Sequence, residues 1–176
     1  MRTVGTGGQG TTARRVPRSA SSLSTEEGVY GVILVAGMIV VSNSYESTAW
    51  EVLVTVVITV VVFWAAHVYA GTVSHHGFEN GRNVTLRESF VHALRRSLGL
   101  LVSSFVPIVL LLLGALHVLD EERAIWLALW SGVVVLAVLG YVAFARRGVS
   151  MGRRLLGSLA TAAFGIVLIV LKAAIH

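Results

Sequence analysis

The stretch AWEVLVTVVITVVVFWAAHVYAGTVS, residues 49–74, decides the fold. It carries one carboxylate, Glu51, near its start and one imidazole, His67, and is otherwise uncharged. A helix needs about 20 predominantly apolar residues to cross the hydrocarbon core of a bilayer. This stretch meets that length and reads as a membrane span. Four more apolar stretches surround it, at roughly 28–42, 98–119, 124–145 and 155–175. The last three are long enough on their own, whereas the first holds only about 15 strictly apolar residues. The whole chain agrees: 55% of its 176 residues are hydrophobic and 13% are charged. Soluble domains carry about 25% charged residues, so too little charge is present to cover a water-facing surface. Mean hydropathy is +0.80. No cysteine is present, which excludes disulfides, thiolate metal sites and cysteine nucleophiles.

Helix-start signals extend the short first stretch. Ser24 stands three residues before Glu27, the spacing of a capping box. With Ser24 as N-cap, span one covers about 25–43, near 28 Å at about 1.5 Å per residue. Thr48 with Glu51 opens span two by the same device, and Thr85 with Glu88 opens the segment leading to span three. Asp120 and Ser150 stand where they can cap spans four and five. The expected architecture is an all-α transmembrane bundle of five spans, about 25–43, 49–74, 98–119, 121–145 and 154–175. Residues 1–23, rich in Gly, Ser, Thr and Arg, read as a disordered basic cytoplasmic tail. An alternative takes residues 1–44 as a secretory signal and leaves four spans. Against it, no A-x-A site follows the apolar run, and Val16-Pro17-Arg18 follows Arg14-Arg15 where a twin-arginine signal has apolar residues.

Arginine placement sets the topology. Arg2, Arg14, Arg15 and Arg18 precede span one. Arg82, Arg87, Arg95 and Arg96 lie between spans two and three, and Arg146, Arg147, Arg153 and Arg154 between spans four and five. The alternate connections hold only Arg123, and Lys172 lies near the C-terminus. Twelve basic residues thus fall on one side and two on the other. The positive-inside rule places the N-terminus in the cytoplasm and the C-terminus outside. Four or six spans would break the alternation.

Residues 86–98 form an amphipathic segment. Leu86, Phe90, Ala93, Leu94 and Leu98 share one helical face, and Glu88, His92, Arg95 and Arg96 the other, with Arg87 on the apolar side and obliged to snorkel. Two readings stand: an interfacial helix on the cytoplasmic surface, or the flared end of span three. Either way Arg87, Arg95 and Arg96 are candidates for contact with anionic lipid headgroups.

No Lys, Arg, Asp or Glu lies deep within an apolar stretch, the place where pumps and transporters keep one. Glu27, Glu51, Glu88 and Asp120 are read as caps. His67 is the exception, about 17 residues into span two. It reads either as a proton relay, gate or ligand, or as a packed imidazole bonded to a neighbouring helix. Tyr69 and Tyr30 are its expected partners. His75 and His76 are adjacent on a helix end and do not face each other, which makes a poor metal site. His117 comes from the opposite half of the membrane. Pro107 should kink span three. Gly157, Thr161 and Gly165 form a small-residue stripe at four-residue spacing, suited to close helix packing within the monomer or between subunits. Trp50, Trp126 and Trp130 read as interfacial anchors, and Trp64 as a neighbour of His67.

The block VTVVITVVVFWAAHVYA, residues 54–70, resembles a segment in small multi-pass membrane proteins of high-GC bacteria. That resemblance implies fold and location and no activity. The opening of span one, Ser24-Thr25-Glu26-Glu27-Gly28-Val29-Tyr30, is similar to the F-S-D-G-V-F start of the TMEM175-type potassium channels. The Phe and Asp of that motif are replaced here, and the sixth helix of those channels has no counterpart.

No P-loop, nucleotide-binding glycine pattern, H-E-x-x-H or nucleophile elbow occurs. The expectation is an integral protein of the plasma membrane that is no enzyme, takes no cofactor or metal and binds no nucleic acid. It would act as a scaffold or subunit of a membrane complex, with a homo-oligomer or a membrane-protein partner. The alternative is a small oligomeric ion or proton channel or transporter that uses His67.

Overall fold

The computed structural model describes residues 20–43, 47–75, 77–79 and 82–175, with side chains described over 25–42, 47–74 and 85–174. The arginines before span one, and the imidazoles of His75 and His76, lie outside the described residues. Five helices carry the fold: α1 (Ala20–Asn43), α2 (Ala49–His75), α3 (Leu86–Ala115), α4 (Glu121–Ala145) and α5 (Met151–Ile175). All five are long and apolar enough to cross a membrane. The chain is therefore a multi-pass membrane protein with a five-helix bundle.

Inter-helix contacts show how the helices run. Glu27 of α1 meets Arg96 of α3, and a Cβ built on Gly31 would meet Leu100, so these two helices are parallel. Gly71 and Ala49 of α2 approach Ala93 and Gly114 of α3, Gly114 and Gly99 of α3 lie near Ala124 and Leu139 of α4, and Gly165 and Gly157 of α5 approach Val133 and Phe144 of α4, so each of these pairs is antiparallel. The arginines at the start of α3, after α4 and at the start of α5 consequently gather at one end. Arg123 and Lys172 lie at the other.

Packing explains the short first span. Half of the α1 span is buried, against about a third or less for each other span. α1 contacts all four other helices and supplies Val32, Val35, Ala36, Ile39 and Val40 to the aliphatic core. A helix wrapped by protein needs less apolar length than one wrapped by lipid, because lipid does not have to solvate its ends.

Three starts behave as capping predicts. Thr48 and Glu51 exchange side-chain and backbone hydrogen bonds at 3.0 and 3.3 Å. Thr85 and Glu88 form a full capping box on α3. The Asp120 carboxylate accepts from the Arg123 N–H at 3.2 Å. Ser24 does not cap α1. The helix begins by Ala20, so Ser24 lies inside it and Glu27 is free for another role. Replacing Thr85 by Ala should lower stability by about 1 kcal/mol, as loss of a cap does. Reversible unfolding in mixed micelles reads this, and an unchanged midpoint would remove the box from the account of how α3 starts.

Residues 86–98 are no separate interfacial helix. They are the first turns of α3, which runs unbroken to Ala115 and includes Pro107. The packed face also differs from the apolar one. Ser89, Ala93 and Ser97 are buried, while Leu86, Phe90 and Leu98 are exposed. Against lipid, apolar side chains lose nothing by facing outward, and small ones let helices approach closely. Between α2 and α3 the chain forms a short antiparallel hairpin, β1 (Gly77–Glu79) and β2 (Arg82–Val84).

The stripe of Gly157, Thr161 and Gly165 packs within the monomer. A Cβ on Gly157 would run into the Phe144 ring, and one on Gly165 would meet Val133 at 2.9 Å. Ser158 donates to the Ala137 carbonyl at 2.8 Å. The stripe therefore docks α5 onto α4, and that contact uses it up.

Candidate functional site

Three helices bring their polar side chains together at one point near the arginine-rich end. Glu27 is almost fully buried, at 2% side-chain exposure. Its Oε1 accepts a hydrogen bond from the Arg96 Nε–H and lies 3.3 Å from His67 Nε2. One carboxylate oxygen thus ties α1 to both α2 and α3.

Small residues make this convergence possible. A Cβ on Gly31 would sit 2.8 Å from the Leu100 carbonyl and 3.0 Å from Ser103 Oγ. Ser103 donates to the Gly28 carbonyl at 2.9 Å. These contacts hold α1 against α3 one turn from Glu27. On the other side a Cβ on Gly71 would sit 3.0 Å from Ala93 Cβ, which draws α2 against α3 one turn from His67. Phe63 stacks on the imidazole with ring centroids 6.3 Å apart.

The cluster borders a crevice of about 180 Å³ between α2 and α3, lined by residues that include His67, Gly71, Ser74, Ala93, Arg96 and Ser97. His67 keeps 35% and Arg96 29% of their side-chain surface exposed. Glu27 Oε2 is buried and has no hydrogen-bond partner among the described residues. Trp64, which packs against the core close to His67 in sequence, also buries its Nε1 unpaired.

Helix rise gives the depth. Fifteen residues separate Glu27 from Ser42, and seventeen separate Trp50 from His67. These lengths correspond to roughly 22 and 25 Å. In a hydrocarbon core of about 30 Å, the cluster lies just inside one boundary. Beyond it the interior is aliphatic. Val32, Val35, Ile39, Val52, Val56, Leu111, Leu129 and Leu136 are each at most 1% exposed. The Ser103 and Ser104 hydroxyls on that path bond backbone carbonyls of Gly28 and Leu100.

The expected partners of His67 lie elsewhere. Tyr30 and Tyr69 are 56% and 72% exposed and face away from the bundle. The partner is Glu27, which was read as a cap. Burial inside the bundle is what turns it from a cap into a site residue, because the unsolvated carboxylate needs a counter-charge. The spacing of Glu27, His67 and Arg96 along the chain carried no sign of this.

The opposite end has its own polar contacts. Glu121 Oε2 accepts from the Ala49 N–H at 2.9 Å and joins the first turns of α2 and α4. His117 adopts a positive φ of 55° after α3, with Nδ1 3.6 Å from Glu121 Oε1. Lys172 is buried with its Nζ 4.5 Å from the Trp126 ring centroid, a cation–π contact. Trp50 and Trp130 face outward, as interfacial anchors do. Among the described residues no three His, Asp or Glu side chains are grouped to hold a metal ion. No protein-family model, curated protein or solved structure matches the chain.

Proposed function

We propose that the protein is a non-catalytic, non-conducting component of a cell membrane, a scaffold or a subunit of a membrane complex. Its N-terminus lies in the cytoplasm and its C-terminus outside, by the positive-inside rule applied to the arginine-rich end. The observation that carries this reading is the blind end of the polar cluster. Glu27, Arg96 and His67 meet at one membrane boundary and stop on an aliphatic core. Crossing that core would take an ion through roughly 20 Å of helix length past aliphatic side chains and two serine hydroxyls already bonded to backbone carbonyls, a large cost in hydrocarbon. The cluster is suited to clamping three helices together. Arg87 and Arg95, on the exposed side of α3, are suited to anionic headgroups. Arg96 differs from them in that its Nε–H already bonds Glu27.

A second reading has one observation in its favour. His67 borders an open crevice and lies 3.3 Å from a carboxylate whose other oxygen is unpaired. Imidazole exchanges protons readily near neutral pH, so an oligomer could complete a proton path that one chain lacks.

Flux through liposomes decides between them. The scaffold reading expects purified protein to conduct no more protons or potassium ions than empty liposomes under an imposed gradient. It also expects crosslinking in native membranes to capture a defined membrane-protein neighbour. Flux that is present in the wild-type protein and lost in His67→Ala would overturn it in favour of the channel.

A further inference from the structure

We infer that α3 and α4 form a binding site for one anionic phospholipid, with its phosphate against α3 and an acyl chain laid into a groove between the two helices. The inference rests on the proposed placement of the arginine-rich end at a membrane boundary.

Two concavities lie end to end along one face of α3. The first, about 410 Å³, is polar and lined by Arg87, Glu88, Val91, His92 and Arg95. The second, about 310 Å³, is lined by Gly99, Val102, Ser103 and Val106 of α3, with Val134, Val135, Val138 and Leu139 of α4 opposite. Arg95, Gly99, Val102 and Val106 follow one another at spacings of four, three and four, which puts them on a single helical stripe. The stripe therefore passes from a guanidinium directly into the groove.

The groove has an identifiable cause. Gly99 has no side chain and the valines opposite are short, so the two helices leave a trough. Ser103, the one polar residue in its wall, turns its hydroxyl to the Gly28 and Leu100 carbonyls. What remains is an apolar channel on the outside of the bundle that leads at one end to the arginine-lined concavity.

Dimensions and charge select the occupant. Arg95 to Val106 spans eleven residues, about 16 Å of helix. That is close to half of the hydrocarbon core of about 30 Å, the depth of one leaflet. At the head, Arg87 and Arg95 face a single carboxylate, Glu88, whose oxygen already accepts the Thr85 N–H of the capping box. The local charge thus favours an anion. A phosphate at the boundary and a chain reaching mid-membrane match both halves of the stripe.

Native mass spectrometry of the full chain in mild detergent tests the site, with phosphatidylglycerol and phosphatidylcholine of identical chains as probes. One phosphatidylglycerol should be retained about five-fold more tightly than phosphatidylcholine, the factor expected of one basic residue near the surface. Arg95→Gln should abolish that preference. Val102→Trp fills the groove at a position 71% exposed, where the fold has room for it, and should weaken both lipids. Leu159→Trp on the outer face of α5 should change neither. Equal retention of the two lipids by the wild-type protein would overturn the inference. So would a Val102→Trp variant that keeps its phosphatidylglycerol, displacement of the lipid by inorganic phosphate, or dimerisation through the groove in place of a lipid adduct. None of these outcomes depends on whether the protein conducts ions or binds a partner.

Discussion

Replacing Glu27 by Gln is expected to lower the stability of the bundle by on the order of 3 kcal/mol. Losing one member of a buried ion pair costs about 3–5 kcal/mol, because the remaining charge stays desolvated. The lower end applies here, since Arg96 keeps 29% of its side-chain surface exposed and can draw on water in the crevice. The paired change is the sharper measurement. Glu27→Leu with Arg96→Leu removes both charges together and should cost much less than the two single changes added, since an apolar pair of similar volume can replace a buried ion pair at little cost. His67→Phe should cost under about 1 kcal/mol, because the imidazole is partly exposed and the ring can still stack on Phe63. Unfolding midpoints in mixed micelles give all five numbers. Strict additivity of the Glu27 and Arg96 changes would show that the two do not act as a unit, and the clamp between α1 and α3 would have to be sought in Gly31 and Ser103 alone.

The second large effect is expected at the α4–α5 contact. A Cβ on Gly140 would collide with the Thr161 hydroxyl and lie 2.8 Å from the Gly157 carbonyl. The hydroxyl could rotate away, although it would give up its hydrogen bond to that same carbonyl. The backbone cannot move without shifting α5. Gly140→Leu should therefore cost about 3 kcal/mol, the upper part of the usual range for overpacking. Gly37 serves as the control, since a Cβ there meets nothing within 4 Å. Gly37→Leu should be neutral or stabilise slightly, because glycine is a poor helix former. If Gly140→Leu proves as stable as Gly37→Leu, α5 does not dock on α4 through this stripe.

Much of the architecture was legible along the chain because membranes impose one-dimensional rules. Span length follows from bilayer thickness and helix rise, and the pairs Thr48–Glu51 and Thr85–Glu88 mark helix starts by contacts three residues apart. Each of these is local. The same locality misled at Ser24 and Glu27. The pair has the spacing of a cap, and nothing nearby in sequence says that α1 continues back to Ala20. At residues 86–98 the apolar stripe was readable, but which stripe packs inward was not. In water the apolar face would be buried. Against lipid the small residues Ala93 and Ser97 go inside, and Leu86, Phe90 and Leu98 go out.

The amino-acid sequence by itself determined that this protein spans a membrane with five helices and that its basic residues alternate between the connections. It also determined that α5 carries a stripe of small residues. Those properties follow from periodicity, length and charge, which act over a few residues. The tertiary structure alone decided that α1 is the central helix, that the stripe on α5 meets α4, and that Glu27, His67 and Arg96 share one point. Forty residues separate Glu27 from His67 and sixty-nine separate it from Arg96. Only the close approach of α1, α2 and α3 at Gly31 and Gly71 brings them into contact, and a buried charge takes its meaning from what is packed around it.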